Sequence, residues 1–286
     1  RQTQILMRGT HTLTHTQTSA HSHTKYNNTI NQSILKKMKS VILIPCRLGS
    51  TRFPNKPLAN ILGKPMIQWV YEAAEESDAT DVFIITDSQE IINAVEAFDG
   101  QAILTSDEPQ NGTERCEEAM EILISDGTEY DVIINIQGDE PLISAGDINR
   151  MLELFEEEDV DVLTFIQPIN NEADYNNTNV VKAVPTSFDE GFCDVCYFSR
   201  TPIPFMDEFR PEVAFKHIGI YGFTATAFEE IKNLDASLLE EVERLEQLRW
   251  VQNHIVVSAM VTENVLIGVD TPEDLAAVEN ILKSKI

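Results

Sequence analysis

The sequence predicts an α/β fold built on a mostly parallel sheet with helices on both faces. Three observations carry that expectation. Apolar runs such as Val41–Pro45 and Val132–Ile136 have the length of a strand and are continuous, as in strands buried on both faces. Segments with apolar residues at helical spacing separate these runs. The two kinds alternate from residue 41 to residue 166, which is the β-α-β rhythm of a parallel sheet. A chain of 286 residues, 42% apolar, suffices for one large domain or two small ones.

Val41-Ile-Leu-Ile-Pro45 is the first strand. Pro65 can open a helix, with Met66, Ile67, Trp69, Val70, Ala73 and Ala74 as its apolar stripe. Val82–Thr86 is the second strand. Ile91, Ile92, Val95 and Phe98 line the next helix, which Gly100 should stop. Ala102–Thr105 reads as a short strand, Thr113–Ile124 as a helix, Asp131–Gln137 as a strand, Ser144–Glu157 as a helix and Asp161–Ile166 as a fifth strand. The stretch from about 168 to 235 breaks the rhythm, with strand-like Val180–Val184, Phe192–Phe198 and His217–Phe223 around the turn Thr201-Pro-Ile-Pro-Phe205. It reads as an antiparallel excursion attached to the sheet and is where a homodimer interface is expected. Helix 238–251, strands at Ile255–Ala259 and Val265–Ile267, and a last helix opened by Thr271-Pro-Glu-Asp274 complete the chain.

Charge is unevenly distributed. The net charge is −26, which argues against a general nucleic-acid binder or an anionic-membrane surface, since either needs a basic face. No apolar run approaches the roughly 18–20 residues of a membrane helix. Four Cys cannot form a disulfide scaffold, so a reducing compartment, the cytoplasm, is the default. Residues 1–38 are set apart as a leader or non-native extension: 1–40 hold six basic residues, no acid and four of the six His, without apolar periodicity. The preferred reading is a start at Met38. An organelle transit peptide and a His-rich metal tail are the alternatives. All 47 acids and only 15 basic residues remain in 41–286, a net charge of −32. Four of those basics, Arg47, Arg52, Lys56 and Lys64, crowd into one stretch, which makes it a candidate anion site.

That stretch follows the first strand as Pro45-Cys-Arg-Leu-Gly-Ser-Thr-Arg-Phe-Pro-Asn-Lys-Pro-Leu58. It is neither G-x-G-x-x-G nor a P-loop. It does hold cationic side chains and hydroxyls at a strand's carboxyl end, as a triphosphate requires. Asp139, in Gln137-Gly-Asp-Glu-Pro141, and Asp270, in Gly268-Val-Asp-Thr-Pro272, are read as strand-end carboxylates. Mg²⁺ takes one or two carboxylates and completes its octahedron with phosphate oxygens and water, so the pair suits a metal–triphosphate complex. Either Asp alone could equally cap a helix. Cys193-Asp-Val-Cys196 invites a zinc or redox reading, but two residues three apart on a strand point to opposite faces. Cys46 reads as a small buried filler.

Seven segments, in order and spacing, resemble the 3-deoxy-manno-octulosonate cytidylyltransferase (CMP-Kdo synthetase) family. They are Arg47-Leu-Gly-Ser-Thr-Arg-Phe-Pro-Asn-Lys-Pro57, Asn111-Gly-Thr-Glu-Arg115, Gln137–Pro141, Tyr197-Phe-Ser-Arg200, His217-Ile-Gly-Ile-Tyr221, Leu245-Glu-Gln-Leu-Arg249 and Val269–Asp274. The resemblance spans 39–286 and implies a Rossmann-like sheet of the nucleotide-sugar transferase type. It further implies cytidylyl transfer from CTP to a 2-keto-3-deoxy sugar acid, Kdo, with Mg²⁺, for lipopolysaccharide or related glycan synthesis. By resemblance, Arg47, Ser50 and Lys56 bind the CTP phosphates with Arg52 nearby. Gly112 and Thr113 lie near the nucleotide, and Asp139 and Asp270 ligate Mg²⁺. Arg115, Gln137, Arg200, His217, Tyr221, Glu246 and Gln247 form the sugar pocket, Arg115 and Arg200 holding the acid's carboxylate. Asp139, Asp270, Lys56 and Arg47 carry the catalysis.

The chain departs from the family at Cys46 (usually Ala), Leu48 (usually aromatic or similar), Asn55 (usually Gly), Asn111 (usually Ser) and the apolar strand now holding Cys193 and Cys196. Asn tolerates φ > 0 less readily than Gly, so position 55 bears on the loop's conformation. An acceptor of the 8-amino-Kdo or sialic-acid type, and a catalytically silent nucleotide-binding protein, are the alternative functions.

Overall fold

β1 (Ser40–Cys46) is buried along its whole length, as its continuous apolar run requires. The computed structural model that shows this describes residues 38–49, 53–186, 188–189 and 191–285. The expectations for residues 1–37, and for Ser50 and Arg52, lie outside the described residues. From Met38 onward the chain forms one compact unit.

After β1 come a 3₁₀ turn at Lys56–Leu58, the small hairpin β2 (Asn60–Ile61) and β3 (Lys64–Pro65), and α1 (Met66–Glu75). β4 (Asp81–Thr86), α2 (Gln89–Glu96), β5 (Ala102–Leu104), α3 (Gly112–Ser125), β6 (Val132–Asn135), α4 (Ala145–Glu157) and β7 (Val162–Pro168) follow the expected alternation. Ser144 caps α4 in a reciprocal capping box with Asp147, satisfying two backbone donors at once. Gly100 does not end α2 by its conformation. Asp99 takes the left-handed geometry (φ 61°), and Gly100 is needed because a Cβ would lie 2.6 Å from the Phe98 ring.

The excursion comprises α5 (Glu172–Asn176), β8 (Lys182–Pro185), β9 (Phe192–Ser199), β10 (Phe215–Thr224) and α6 (Ala225–Lys232). Then come α7 (Leu238–Glu243), α8 (Gln247–Gln252), β11 (Val257–Val261) and α9 (Pro272–Lys285). The helix expected over 238–251 is broken at Arg244, which adopts φ 55°. The strand expected at Val265–Ile267 does not form.

The main sheet runs β5-β4-β1-β6-β10-β7-β11-β9-β8, and every strand in it points the same way except β9 and β10. The excursion is thus woven into the sheet: β10 lies in its centre, between β6 and β7. Alternate β1 residues feed two cores. Ile42 and Ile44 face the layer of α1, α2, α4 and α9, while Val41 and Leu43 face that of α3, α6 and α8. Each fully buried aliphatic side chain contributes about 1.5–3 kcal/mol, so β1 is fixed from both faces and the loop at its carboxyl end starts from a rigid base.

Candidate active site

A cleft of about 440 Å³ opens beyond the carboxyl ends of β1 and β6, where open α/β sheets bind ligands. Four stretches line it: residues 45–49 with Lys56 and Pro57, residues 109–115 at the start of α3, residues 137–139 after β6, and Asp270 ahead of α9. Two glycines let these stretches close up. A Cβ on Gly138 would lie 2.2 Å from Cys46 Sγ, and one on Gly112 would lie 2.6 Å from Gln137 Nε2. Cys46 is therefore the buried filler expected of it, packed under the turn that carries Asp139.

The loop after β1 turns back through Asn55, whose φ of 56° and ψ of 27° are left-handed. The position thus needs the geometry that Gly supplies, and Asn supplies it here. Lys56 follows, and its Nζ donates to Asp139 Oδ2 (2.5 Å) and Asp270 Oδ1 (3.2 Å). Burial alone would depress the Lys56 pKa, but Asp139 and then Asp270 outweigh it and shift it upward. Arg47 is exposed on the cleft's rim and makes no hydrogen bond to another described residue. Lys64 belongs elsewhere: it pairs with Glu72 and lies over the Trp69 ring.

Asp270 does not sit at a strand end. Its irregular segment is pinned by Val269 N–H donating to Asp139 O (2.9 Å) and by Lys216 Nζ donating to Leu266 O (3.4 Å). Neither Asp139 nor Asp270 serves as a cap. Thr271 Oγ1 accepts from Asp274 N, and the Asp274 carboxylate accepts from the N–H groups of Asp270 and Thr271. Glu140, beside Asp139, is buried, and its Oε2 has no hydrogen-bond partner among the described residues. Burial, then the Asp139 charge, pushes its pKa up to about 8.

Asn111 caps α3, its side chain accepting from Glu114 N; Ser and Asn are alike in that role, which accounts for the departure there. Arg115, 3% exposed, donates from Nη1 to Thr105 Oγ1 (2.5 Å) and Ser106 O (3.0 Å) and from Nη2 to Asp87 Oδ2 (3.3 Å). Its guanidinium is held at the cleft wall by these three groups. Asp87 follows β4 directly and was not singled out from the sequence, although a carboxylate just past a strand end is a readable signal.

A chain of polar contacts leads from the cleft into the excursion. Gln137 Nε2 donates to Asn135 Oδ1 (3.0 Å), Asn135 Nδ2 to Thr113 Oγ1 (3.4 Å), and the Thr113 hydroxyl to Glu246. Tyr221 pairs in register with Asn135, and its ring packs on His217 (5.2 Å) and Trp250 (4.9 Å). A bulge between Ile218 and Tyr221, held by Thr164 Oγ1 donating toward the Ile218 and Ile220 carbonyls, brings His217 and Tyr221 together. Thr164 Oγ1 also meets His217 Nε2 (3.1 Å). Burial lowers the His217 pKa to about 3, so the ring is neutral. Burial raises the Glu246 pKa to about 7 against the pull of Thr113 and Arg249. Gln247, 2% exposed, has an Nε2 without a partner among the described residues.

Arg200 lies outside the cleft lining. Its Nε donates to Glu243 O (2.7 Å), Nη1 to Thr178 O (3.3 Å) and Nη2 to Arg244 O (3.2 Å). It thus holds the break between α7 and α8, which places Glu246 against Thr113 and near Tyr221, with Gln247 next in the chain. Lys182, fully buried, braces the same corner by donating to the carbonyls of Asn177, Val180 and Arg200. Cys193 is buried and Cys196 exposed, on opposite faces of β9 as expected. No helix among the described residues is long and apolar enough to cross a membrane.

Residues 41–261 match the family model described as Cytidylyltransferase. The chain is 42% identical to the 3-deoxy-manno-octulosonate cytidylyltransferase of Thermodesulfovibrio yellowstonii, across 86% of this chain and 99% of the relative. It is 43% identical to the enzyme of that name from Parabacteroides distasonis, across 83% and 96%. A solved CMP:2-keto-3-deoxy-manno-octonic acid synthetase complexed with CTP superposes with a TM-score of 0.77 at 35% identity, covering 87% of this chain and 100% of that one. A UDP-glucose pyrophosphorylase complexed with UDP-glucose superposes with a TM-score of 0.63 at 17% identity, over 87% and 100% of the two chains, a likeness of fold alone.

Proposed function

The chain belongs to the 3-deoxy-manno-octulosonate cytidylyltransferase family, and from that premise we propose that it transfers the cytidylyl group of CTP to Kdo and releases pyrophosphate. The product, CMP-Kdo, would feed synthesis of lipopolysaccharide or a related surface glycan. The observation that carries this reading is the meeting of two unlike halves at the start of α3. On one side stand Arg47, Lys56, Asp139 and Asp270, suited to a metal–triphosphate. On the other, the chain Gln137–Asn135–Thr113–Glu246 leads to Tyr221, His217 and Gln247, suited to a polyhydroxy acid.

In this reading the anomeric C2 hydroxyl of the sugar acid attacks the α-phosphorus in line. The new P–O bond forms as the bond to pyrophosphate breaks, and the barrier falls through positioning and charge neutralisation. Arg47 and Lys56 offset phosphate charge, with Ser50 and Arg52 in the same loop. Gly112 and Thr113 form the wall shared by nucleotide and sugar, and Gln137, Glu246 and Gln247 orient the sugar hydroxyls. Arg115 is the carboxylate's partner. Arg200 shares that carboxylate and also supports the pocket through the α7–α8 break. Asp139 and Asp270 fit Mg²⁺, because they are hard oxygen donors already gathered around one cation, the Lys56 ammonium. Mg²⁺ bound there would supply Lewis-acid polarisation of a phosphate oxygen. We place the reaction in the cytoplasm, in keeping with four free cysteines. We expect a homodimer through residues 168–235, where Phe205 stands 88% exposed.

The test is pyrophosphate release from a panel of nucleoside triphosphates against Kdo, its 8-amino analogue and sialic acid. CTP with Kdo should be the best pair. Preference for another nucleotide would overturn the cytidylyl assignment, and preference for sialic acid would overturn the acceptor.

A further inference from the structure

We propose that Lys56 is the resident counter-ion of the Asp139–Asp270 pair and that it makes metal binding at this site wait for the nucleotide. The inference rests on the cytidylyltransferase reading and concerns the order in which that site fills. The Lys56 ammonium bonds to one oxygen of each carboxylate, 2.5 Å from Asp139 and 3.2 Å from Asp270. It therefore stands in the space that a divalent cation bridging the two would need. Its side chain is 12% exposed, against 31% for Asp139 and 49% for Asp270, so solvent screens the contact with Asp139 less than that with Asp270.

The surroundings explain why a cation is kept there. Glu140 adds a third carboxyl group beside the pair, buried, with Oε2 unpartnered among the described residues. Among the described residues, the other ammonium group nearby, that of Lys216, donates to the Leu266 carbonyl and offsets Glu140. Lys56 offsets the like charges of Asp139 and Asp270, which otherwise repel one another. Lys56 is equally well placed to leave. Lysine is a compact charge on a flexible stem, and this one springs from a 3₁₀ turn at the cleft's edge, with Arg47 on the same rim. A triphosphate entering the cleft offers several anionic oxygens in place of two carboxylate oxygens. Drawn toward them, the ammonium vacates the gap, and the two aspartates are released for a cation that arrives with the nucleotide. The same residue thus shields the carboxylates before CTP binds and the phosphates afterwards.

The order follows from the competition: a cation offered alone must displace Lys56, and a cation offered with CTP need not. Binding of Mn²⁺, a paramagnetic stand-in for Mg²⁺, can be followed by electron paramagnetic resonance on the full chain without nucleotide. Wild type should bind it weakly. Lys56→Met and Lys56→Gln remove the resident charge and should bind Mn²⁺ about tenfold more tightly, a difference of about 1.4 kcal/mol. Lys56→Arg keeps a cation and should stay within about twofold of wild type. Thermal unfolding of each variant identifies those that are folded. Folded Met and Gln variants that bind Mn²⁺ no more tightly than wild type would overturn the proposal. So, without any variant, would wild type binding Mn²⁺ equally well with and without CTP. Failure of the underlying reading appears separately, as no pyrophosphate release from CTP and Kdo by wild type, while the nucleotide-free titration still reports on Lys56.

Discussion

Gly138→Ala tests how closely the two strand-end loops must approach for the site to exist. A Cβ at this position would lie 2.2 Å from Cys46 Sγ and 3.3 Å from the Pro45 carbonyl. Ordinary contacts between heavy atoms are about 3.5–4.0 Å, so the overlap with sulfur is well over an ångström. Cys46 cannot retreat, because it is buried on β1 and paired in register with Thr86 of β4. Gly138 has to move instead, and Asp139 moves with it, away from Lys56. Overpacking of this kind costs about 1–3 kcal/mol, and for a chain of this size each kcal/mol lowers Tm by about 2–4 °C.

The control is the double variant. Cys46→Ala alone loses a buried sulfur and should cost about 1 kcal/mol. In Cys46→Ala/Gly138→Ala the sulfur is absent, and the Pro45 carbonyl at 3.3 Å is the remaining close contact. The two changes should therefore be non-additive by about 1–2 kcal/mol in the rescuing direction. Urea unfolding of the four proteins gives the coupling, and pyrophosphate release should recover in parallel. A single Gly138→Ala variant within about 0.5 kcal/mol of wild type, the range of an unremarkable surface change, would refute the steric argument. So would a double variant no better than the single one.

Three further outcomes are expected. Asp87→Ala leaves the buried Arg115 guanidinium without its carboxylate, which should cost about 1–3 kcal/mol in urea unfolding and raise the acceptor KM with little change in that for CTP. Asn55→Gly should be neutral in thermal unfolding and Asn55→Val should lose about 1–2 kcal/mol, because φ is 56° there; equal stability of the two would show that the turn can relax. The Glu246 pKa, raised by burial to about 7, makes its contribution to folding fall as pH rises through the interval from 4.5 to 7, since the folded state holds the proton more tightly than the unfolded one. Glu246→Gln should therefore gain stability relative to wild type between pH 5 and pH 8, by about 2–3 kcal/mol, and a flat difference across that range would contradict the burial argument.

The parts of this fold that were legible are those where one residue's surroundings repeat. Val41–Ile44 and Val132–Ile134 read as doubly buried strands because every position along them meets the same dry environment. Alternation with amphipathic helices then dictated parallel pairing as far as β6. The place of β10 could not be read the same way. Its apolar run says that it is buried, but not that it enters between β6 and β7 against their direction; that depends on partners distant in sequence. Nor does periodicity contain the bulge that unites His217 with Tyr221, since it is the Thr164 hydroxyl on another strand that holds it.

The site divides along the same line. Asp139 and Lys56 were legible as a strand-end carboxylate and a loop cation, and their meeting needs only that the ends of β1 and β6 be neighbours. Asp270 was found for a reason the structure replaces: no strand carries it. It reaches Lys56 because Val269 bonds to Asp139 O and Lys216 to Leu266 O, while Thr271 and Asp274 take over the capping that would otherwise occupy its carboxylate. Arg200 shows the converse. As an arginine near a sugar pocket it reads as a carboxylate clamp, and the fold also engages it with backbone: Nη1 donates to Thr178 O, and Nε and Nη2 to the carbonyls of Glu243 and Arg244, left open where Arg244 breaks the helix. Residue type limits what a side chain can bind. Which of Arg200's donors meet the backbone is decided by which carbonyls the fold leaves unpaired within its reach.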